Sequence, residues 1–159
     1  MSNVEKSIEV DVPVSTAYNQ WTQFEEFPRF MEGVEQVRQM GDDTLHWKAD
    51  IGGVEREWTA RITEQLPDTR VAWTSEDGAF TAGVVTFHKL TDTSCKVMCQ
   101  MEFEPEGFTE KAADALGIVG ARVQGDLKNF KRFIEERGTE TGAWRGEIDQ
   151  KQTQTTRRT

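Results

Sequence analysis

The sequence predicts an α+β fold in which one antiparallel sheet is covered, on a single face, by one long C-terminal helix. Three observations lead there. Between residues 34 and 104 apolar residues recur with period two, broken by turn signals about every eight to twelve residues. Thr109 to Gly138 instead carries one apolar seam, with Ala112, Leu116, Val119, Val123, Leu127, Phe130 and Ile134 at spacings of three and four. The strands are apolar on one face and charged on the other, so the sheet needs one cover, and this helix is the only element long enough to supply it.

Taken in order, Val4 to Val12 alternates Val4, Ile8, Val10 and Val12 against Glu5, Ser7, Glu9 and Asp11, the pattern of a half-buried strand, and Pro13 ends it. Ser15 to Thr22 reads as a short helix with Ser15 as N-cap. Phe24 to Met31 is a second, aromatic-rich helical turn that stops at Gly33. Strands follow over Val34–Met40, Thr44–Ile51 and Val54–Leu66. In the second, Leu45, Trp47, Ala49 and Ile51 share a face; in the third, Val54, Trp58, Ala60 and Ile62 do. Val71 and Trp73 mark the next strand, then come Phe80–Leu90 and Cys95–Glu104, the last with Val97, Cys99, Met101 and Phe103 aligned. Counting the first, these make seven strands, and short turns between neighbours require antiparallel pairing.

In the final helix Thr109 suits the N-cap, Glu110 complements the positive end, Arg132 and Arg137 suit the last turn, and Gly138 stops it. At about 1.5 Å per residue it is about 40 Å long. A rod of that length gripped by a curved sheet encloses a space, and a ligand site is expected there. Residues 138–159 are polar, with only Ala143, Trp144 and Ile148 apolar. They read as a flexible tail beyond a domain of residues 1–137, with the Gly142–Gly146 patch as a docking candidate, a protein partner included.

Composition narrows the function classes. A formal charge of −9, from 28 acidic and 19 basic side chains, argues against nucleic acid or an anionic membrane surface as partner. No apolar run approaches the eighteen residues of a membrane span, and the N-terminus lacks a basic segment followed by an apolar one; the expectation is a soluble cytoplasmic protein. Cys95 and Cys99 lie about 13 Å apart along one strand, too far for a disulfide, and are expected as buried, inert thiols. With two His in the chain and none beside these thiols, no metal site is expected. Gly117 and Gly120 sit inside the helix without Walker or dinucleotide spacing, and no cofactor is expected.

Candidate cavity-lining residues follow from the faces. Trp47, Trp58 and Trp73 fall on the concave side of three consecutive strands, with Met101 on a fourth. Trp21 and Phe27 belong to the short helices, Val123 to the helix seam, and Gly120 to its edge, where a missing side chain admits a close neighbour. Arg56 shares the face of Trp58. It is either a rim arginine reaching solvent or a group that orients a ligand. Tyr18, the only tyrosine, either packs at the helix–sheet boundary or donates to a ligand. His46 alternates to the convex side; His88 faces water if Val85 and Phe87 face the core, and the cavity if Val84 and Thr86 do. No Ser/His/Asp or Cys/His arrangement can be assembled, and Glu55, Glu57, Glu102 and Glu104 alternate onto the wet face.

The element order, with Phe27-Pro28-Arg29-Phe30-Met31-Glu32-Gly33-Val34 after the first helix, resembles the START-like (SRPBCC, Bet v 1-like) superfamily. Tyr18-Asn19-Gln20-Trp21-Thr22-Gln23-Phe24 and Met101-Glu102-Phe103-Glu104-Pro105 bring it nearest to the bacterial polyketide cyclase/dehydrase and coenzyme-Q-binding branch. The resemblance spans residues 3–137 and implies the helix-grip fold, a seven-stranded antiparallel sheet wrapped around the C-terminal helix. It also implies a cavity mouth near the two short helices and the start of the long one. Fold alone leaves the chemistry open. The expected function is binding or transport of a small hydrophobic molecule (lipid, quinone or polyketide-like). The alternatives are an aromatase/cyclase or dehydratase using Arg56, Tyr18 and His88, and an interaction module whose tryptophans fill the cavity.

Overall fold

A computed structural model describes residues 2–51, 53–77, 80–103 and 112–149 of the chain. Its elements are β1 (Ser2–Val10), α1 (Val14–Trp21), a 3-10 helix (Phe24–Arg29), β2 (Val34–Gln39), β3 (Thr44–Ile51), β4 (Val54–Leu66), β5 (Arg70–Ser75), β6 (Thr81–Thr91), β7 (Ser94–Phe103), α2 (Ala112–Arg137) and β8 (Ile148–Asp149). Seven strands form an antiparallel path β1-β7-β6-β5-β4-β3-β2, and β8 joins β4 to make an eight-stranded sheet. This is the helix-grip architecture expected, α+β with a large antiparallel sheet and a long C-terminal helix.

The period-two pattern acts through register. Opposite residues on neighbouring strands share a face, so Val4↔Met101, Trp47↔Trp58, Ile62↔Trp73 and Val85↔Cys99 bring apolar side chains together on the concave side. α2 lies along β1, where Lys131 Nζ donates to Glu9 O at 3.0 Å and the Asp11 N–H donates to Glu135 Oε2 at 2.7 Å. The seam residues Leu127, Phe130 and Ile134 are fully buried, while Ile118 on the outer side is 53% exposed. Gly138 ends the helix in the left-handed region, φ 75°, its N–H bonded to Ile134 O at 2.9 Å, a conformation that favours glycine.

The aromatic density around the two short helices is a packed cluster. Trp21 meets Phe130 edge-on at 5.1 Å and Phe27 at 5.1 Å, and Phe30 meets Phe130 at 5.3 Å. These rings bolt the loop-helix segment to the C-terminal half of α2. Removing the fully buried Phe130 ring would cost about 3–5 kcal/mol.

Two expectations are corrected. Ser15 does not cap α1: Pro13 occupies that position, its carbonyl accepting from Ala17 N, and the Ser15 hydroxyl donates instead to Asp68 Oδ2 at 3.0 Å. Residues 138–149 are not a free tail. β4 outruns β3, whose pairing ends at Arg61, and β8 pairs with the bare edge at Glu64 and Gln65. Before that, Thr141 and Trp144 donate their N–H groups to Gln20 Oε1 (2.8 Å) and Thr22 Oγ1 (3.0 Å), and Arg145 grips Asp68 through two bonds of 3.0 and 2.9 Å. The polar residues that argued for disorder are spent on hydrogen bonds to α1 and the β4–β5 turn. Thr109, Glu110 and residues 150–159 lie outside the described residues.

Candidate functional site

Between the concave face of the sheet and α2 lies a cavity of about 160 Å³. Trp21, Phe24, Phe27 and Met31 wall it at one end, where α1 and the 3-10 helix turn back over the sheet. The floor comes from alternate residues of successive strands, among them Leu45 and Trp47 on β3, Ala60 and Ile62 on β4, and Trp73 on β5. Cys99 and Met101 on β7 form the far side, and Val123, Asp126 and Leu127 on α2 form the roof.

Trp47 is held by two other rings. Its indole stacks on Trp58, centroids 5.7 Å apart and planes within 6°, and it also lies against Phe27 at 5.6 Å. Its ring N–H is buried with no acceptor among the described residues. An unpaired buried donor is costly.

Asp126 is the one acid in the lining among the described residues. Burial pushes its carboxyl up to about 6; the Glu32 N–H and the nearby Arg122 guanidinium oppose that shift without cancelling it. Its Oδ1 accepts from Glu32 N at 3.1 Å, and Arg122 Nη2 donates to Glu32 O, so two α2 side chains clamp the loop that follows the 3-10 helix. Gly33, at φ 82°, is needed here twice over. A Cβ would also clash with the Arg122 guanidinium and lie 2.6 Å from Asp50 O.

Cys99 also lines the cavity, yet burial, with Asp126 adding to it, pushes its thiol up to about 12; Cys95 is pushed to about 11 by burial. Neither forms a useful thiolate at neutral pH, and both are free cysteines. Among the described residues no group of three or more His, Cys, Asp or Glu is arranged to hold a metal ion.

The structure gathers Trp21, Phe27, Trp47, Trp73, Met101 and Val123 around this space. Four other candidates lie elsewhere. Tyr18 is fully buried against Phe87 at 5.4 Å, under the Arg145 guanidinium at 5.6 Å. Burial raises its phenol pKa; the Gln65 amide beside it pulls the other way, although neither group reaches full hydrogen-bond geometry. Arg56 pairs with Ala49 on the concave face but sits in the exposed end of β4, beyond the enclosed part. Trp58 backs Trp47 rather than facing the cavity. Gly120 accommodates the stem of Lys6, which an added Cβ would meet at 3.3 Å. His88 is exposed and bonds Thr86 Oγ1 at 2.9 Å; His46 pairs with Glu57 on the outer face at 3.4 Å.

Sequence reasoning missed Asp126. The signal was there: it stands three residues after Val123 and four before Phe130, on the seam, where a carboxylate is out of place.

Residues 10–132 match the model of a family described as polyketide cyclase/dehydrase and lipid transport. The chain is 60% identical over 149 residues to an uncharacterized 17.2 kDa protein of Streptomyces lincolnensis from the melC2-rnhH intergenic region, covering 93% of this chain and 99% of that one. A START superfamily protein from Mycobacterium smegmatis superposes with a TM-score of 0.72 at 13% identity, covering 84% of this chain and 97% of that one. The Zhui aromatase/cyclase of Streptomyces sp. R1128 superposes with a TM-score of 0.71 at 15% identity, covering 90% and 99%. At such identities the superpositions establish the fold. No helix among the described residues is long and apolar enough to cross a membrane.

Proposed function

Because the chain belongs to the polyketide cyclase/dehydrase and lipid transport family, we propose that it binds a small hydrophobic molecule, polyketide-like, lipid or quinone, between the sheet and α2. The observation that carries this reading is the cavity itself: about 160 Å³, walled by aromatic and aliphatic side chains, with one carboxyl among the described residues that line it. Burial of an apolar guest there gains about 25 cal/mol per Å² of surface removed from water. The aromatic walls are held by ring-to-ring contacts, so little ordering is left to be done on binding.

A cyclase or dehydratase reading draws on the same family, but not on the residues first considered for it. Arg56, Tyr18 and His88 all lie outside the cavity lining, so no acid or base from that set meets a guest. One specific observation still favours turnover: Asp126, with its carboxyl near 6, is poised to exchange a proton near neutral pH inside an apolar space. Two observations weigh against the interaction-module reading: open space remains beside the tryptophans, and the Trp144 N–H is bonded to Thr22 of its own domain.

Native mass spectrometry after incubation with a mixture of fatty acids, quinones, phenols and aromatic polyketides tests the proposal. Retention of at least one apolar compound, lost in the cavity-filling Ala60→Leu variant, supports it. Retention of none overturns it.

A further inference from the structure

We propose that Arg122 and Asp126 form a latch on Glu32, and that releasing it moves Met31 out of the cavity wall so that a guest can pass. This rests on the binding function proposed above and adds the route by which the site is entered.

The make-up of the wall points to this turn. Of the described residues that line the cavity, Met31 alone belongs to neither a helix nor a strand. The lining residues of β3 to β7 are fixed by backbone ladders, and those of α1 and the 3-10 helix by ring contacts. Local opening draws on segments with little burial and solvent-exposed hydrogen bonds. Met31, Glu32 and Gly33 fit that description: none is fully buried, and the bonds that hold Glu32 are exposed.

The hold on Glu32 comes from α2. Its N–H donates to Asp126 Oδ1 at 3.1 Å, and its carbonyl accepts from Arg122 Nη2. The two side chains stand four residues apart, so one face of one helix takes both polar groups of one residue. Such bonds fix the path of the backbone whatever side chain position 32 carries. Gly33 makes room for the arrangement, because an added Cβ there would clash with the Arg122 guanidinium.

The flanks of the turn are pinned separately. Phe30 packs on Phe130 and Phe133, and its carbonyl accepts from Asn129 Nδ2 at 3.1 Å. On the other side Gly33 O accepts from Asp50 N at 2.7 Å, and the β2–β3 register shifts between Val34 and Gln36. Met31 itself makes only local turn bonds, to Phe27 O at 2.8 Å and from Val34 N at 3.2 Å. Met31 and Glu32 therefore span the gap between two pins, and the left-handed Gly33 and the irregular start of β2 can take up a change of path.

Two thiols make the proposal testable. Cys99 lines the cavity and Cys95 does not, so they report entry and general loosening separately. Arg122 is not among the lining residues, so replacing it acts on the latch without removing a wall. The whole chain and its Arg122→Ala variant are treated with methyl methanethiosulfonate, a small neutral thiol reagent, and peptide mass spectrometry follows each cysteine. Amide hydrogen exchange is measured on the same two proteins. The expected result is Cys99 modified about fivefold faster in the variant, with Cys95 changed by about twofold or less. The Glu32 N–H should exchange about fivefold faster, with the amides of β6 and β7 unchanged. Should Arg122→Ala fail to fold by circular dichroism, Arg122→Gln withdraws the charged donor and should speed Cys99 by about twofold or more.

Faster exchange at Glu32 with an unchanged Cys99 rate would overturn the proposal, since entry would then run elsewhere. Unchanged exchange at Glu32, or equal acceleration of Cys95, would overturn it as well. Each of these results leaves the binding function standing. Retention of no apolar compound in the mass-spectrometric test above, with Cys99 still governed by Arg122, would overturn the binding function and support the latch.

Discussion

Asp126 on α2 accepts the Glu32 N–H at 3.1 Å while forming part of the cavity roof, so one carboxyl links the guest space to the loop that closes its aromatic end. Arg122, one turn earlier, holds the carbonyl of the same residue. A substitution at position 126 therefore acts on the cavity chemistry and on the loop together.

The pH dependence of stability follows from that carboxyl. Its pKa is raised from 3.8 to about 6, so the native state holds the proton more tightly than the unfolded chain does. The stabilisation due to protonation is complete below about pH 4 and is lost as pH rises through about 6. Asp126→Asn removes this dependence. Urea unfolding at about pH 4.5 and about pH 7.5 should show the variant gaining on the natural protein at the higher pH. A stability difference that is the same at both values would contradict the assignment.

The folded-back segment has its own test. Arg145 joins Asp68, Asn19 and the Tyr18 ring in one contact set, with side-chain exposures of 41% for Arg145 and 32% for Asp68. Partial exposure limits its worth, and Arg145→Ala should cost about 1 kcal/mol. Limited proteolysis should cut within residues 138–149 several times faster in the variant, with guest binding unchanged.

Gly83 sets the position of a cavity wall. A Cβ there would lie 2.6 Å from Gln100 O and 2.8 Å from Trp73 Cη2, since Gly83 and Trp73 are partners across β5 and β6. Gly83→Ala should push the indole into the cavity, cost about 1–3 kcal/mol and weaken guest binding. Chemical denaturation and a titration on the same variant measure both effects.

The thiols should be silent. Cys95 and Cys99 are buried and their pKa values lie at about 11 and about 12. Ellman's reagent should leave both unmodified in the native protein and react with both in denaturant. Rapid native labelling of Cys99 would mean that the cavity opens widely to solvent.

The fold was legible because its signals are local. Alternation in Val54–Leu66 and the three-and-four spacing through Val123, Leu127, Phe130 and Ile134 each specify one element and one buried face. The site was legible only where the face decides. Trp47 and Trp73 follow from alternation, whereas Arg56 and Trp58 share the right face but lie where the strand has left the enclosed region. Face periodicity carries no information about depth along a strand. Tyr18 and residues 138–149 eluded the pattern for another reason. Their partners are 77 to 126 residues apart in the pairs Arg145–Asp68 and Arg145–Asn19, and such polar docking has no periodicity to read. Asp126 was overlooked because a charge on an apolar seam looks like an interruption of the core, when here it lines the cavity and holds the Glu32 N–H.

The central claim, that an apolar guest sits between sheet and helix, is tested most directly by isotope-filtered NOE spectroscopy on the protein saturated with a retained compound. The account predicts cross-peaks from the guest to the Ile62 and Leu127 methyl groups, which face the cavity from the sheet and from α2. Cross-peaks confined to exposed residues such as Val54 or Ile118, with none to Ile62 or Leu127, would contradict it.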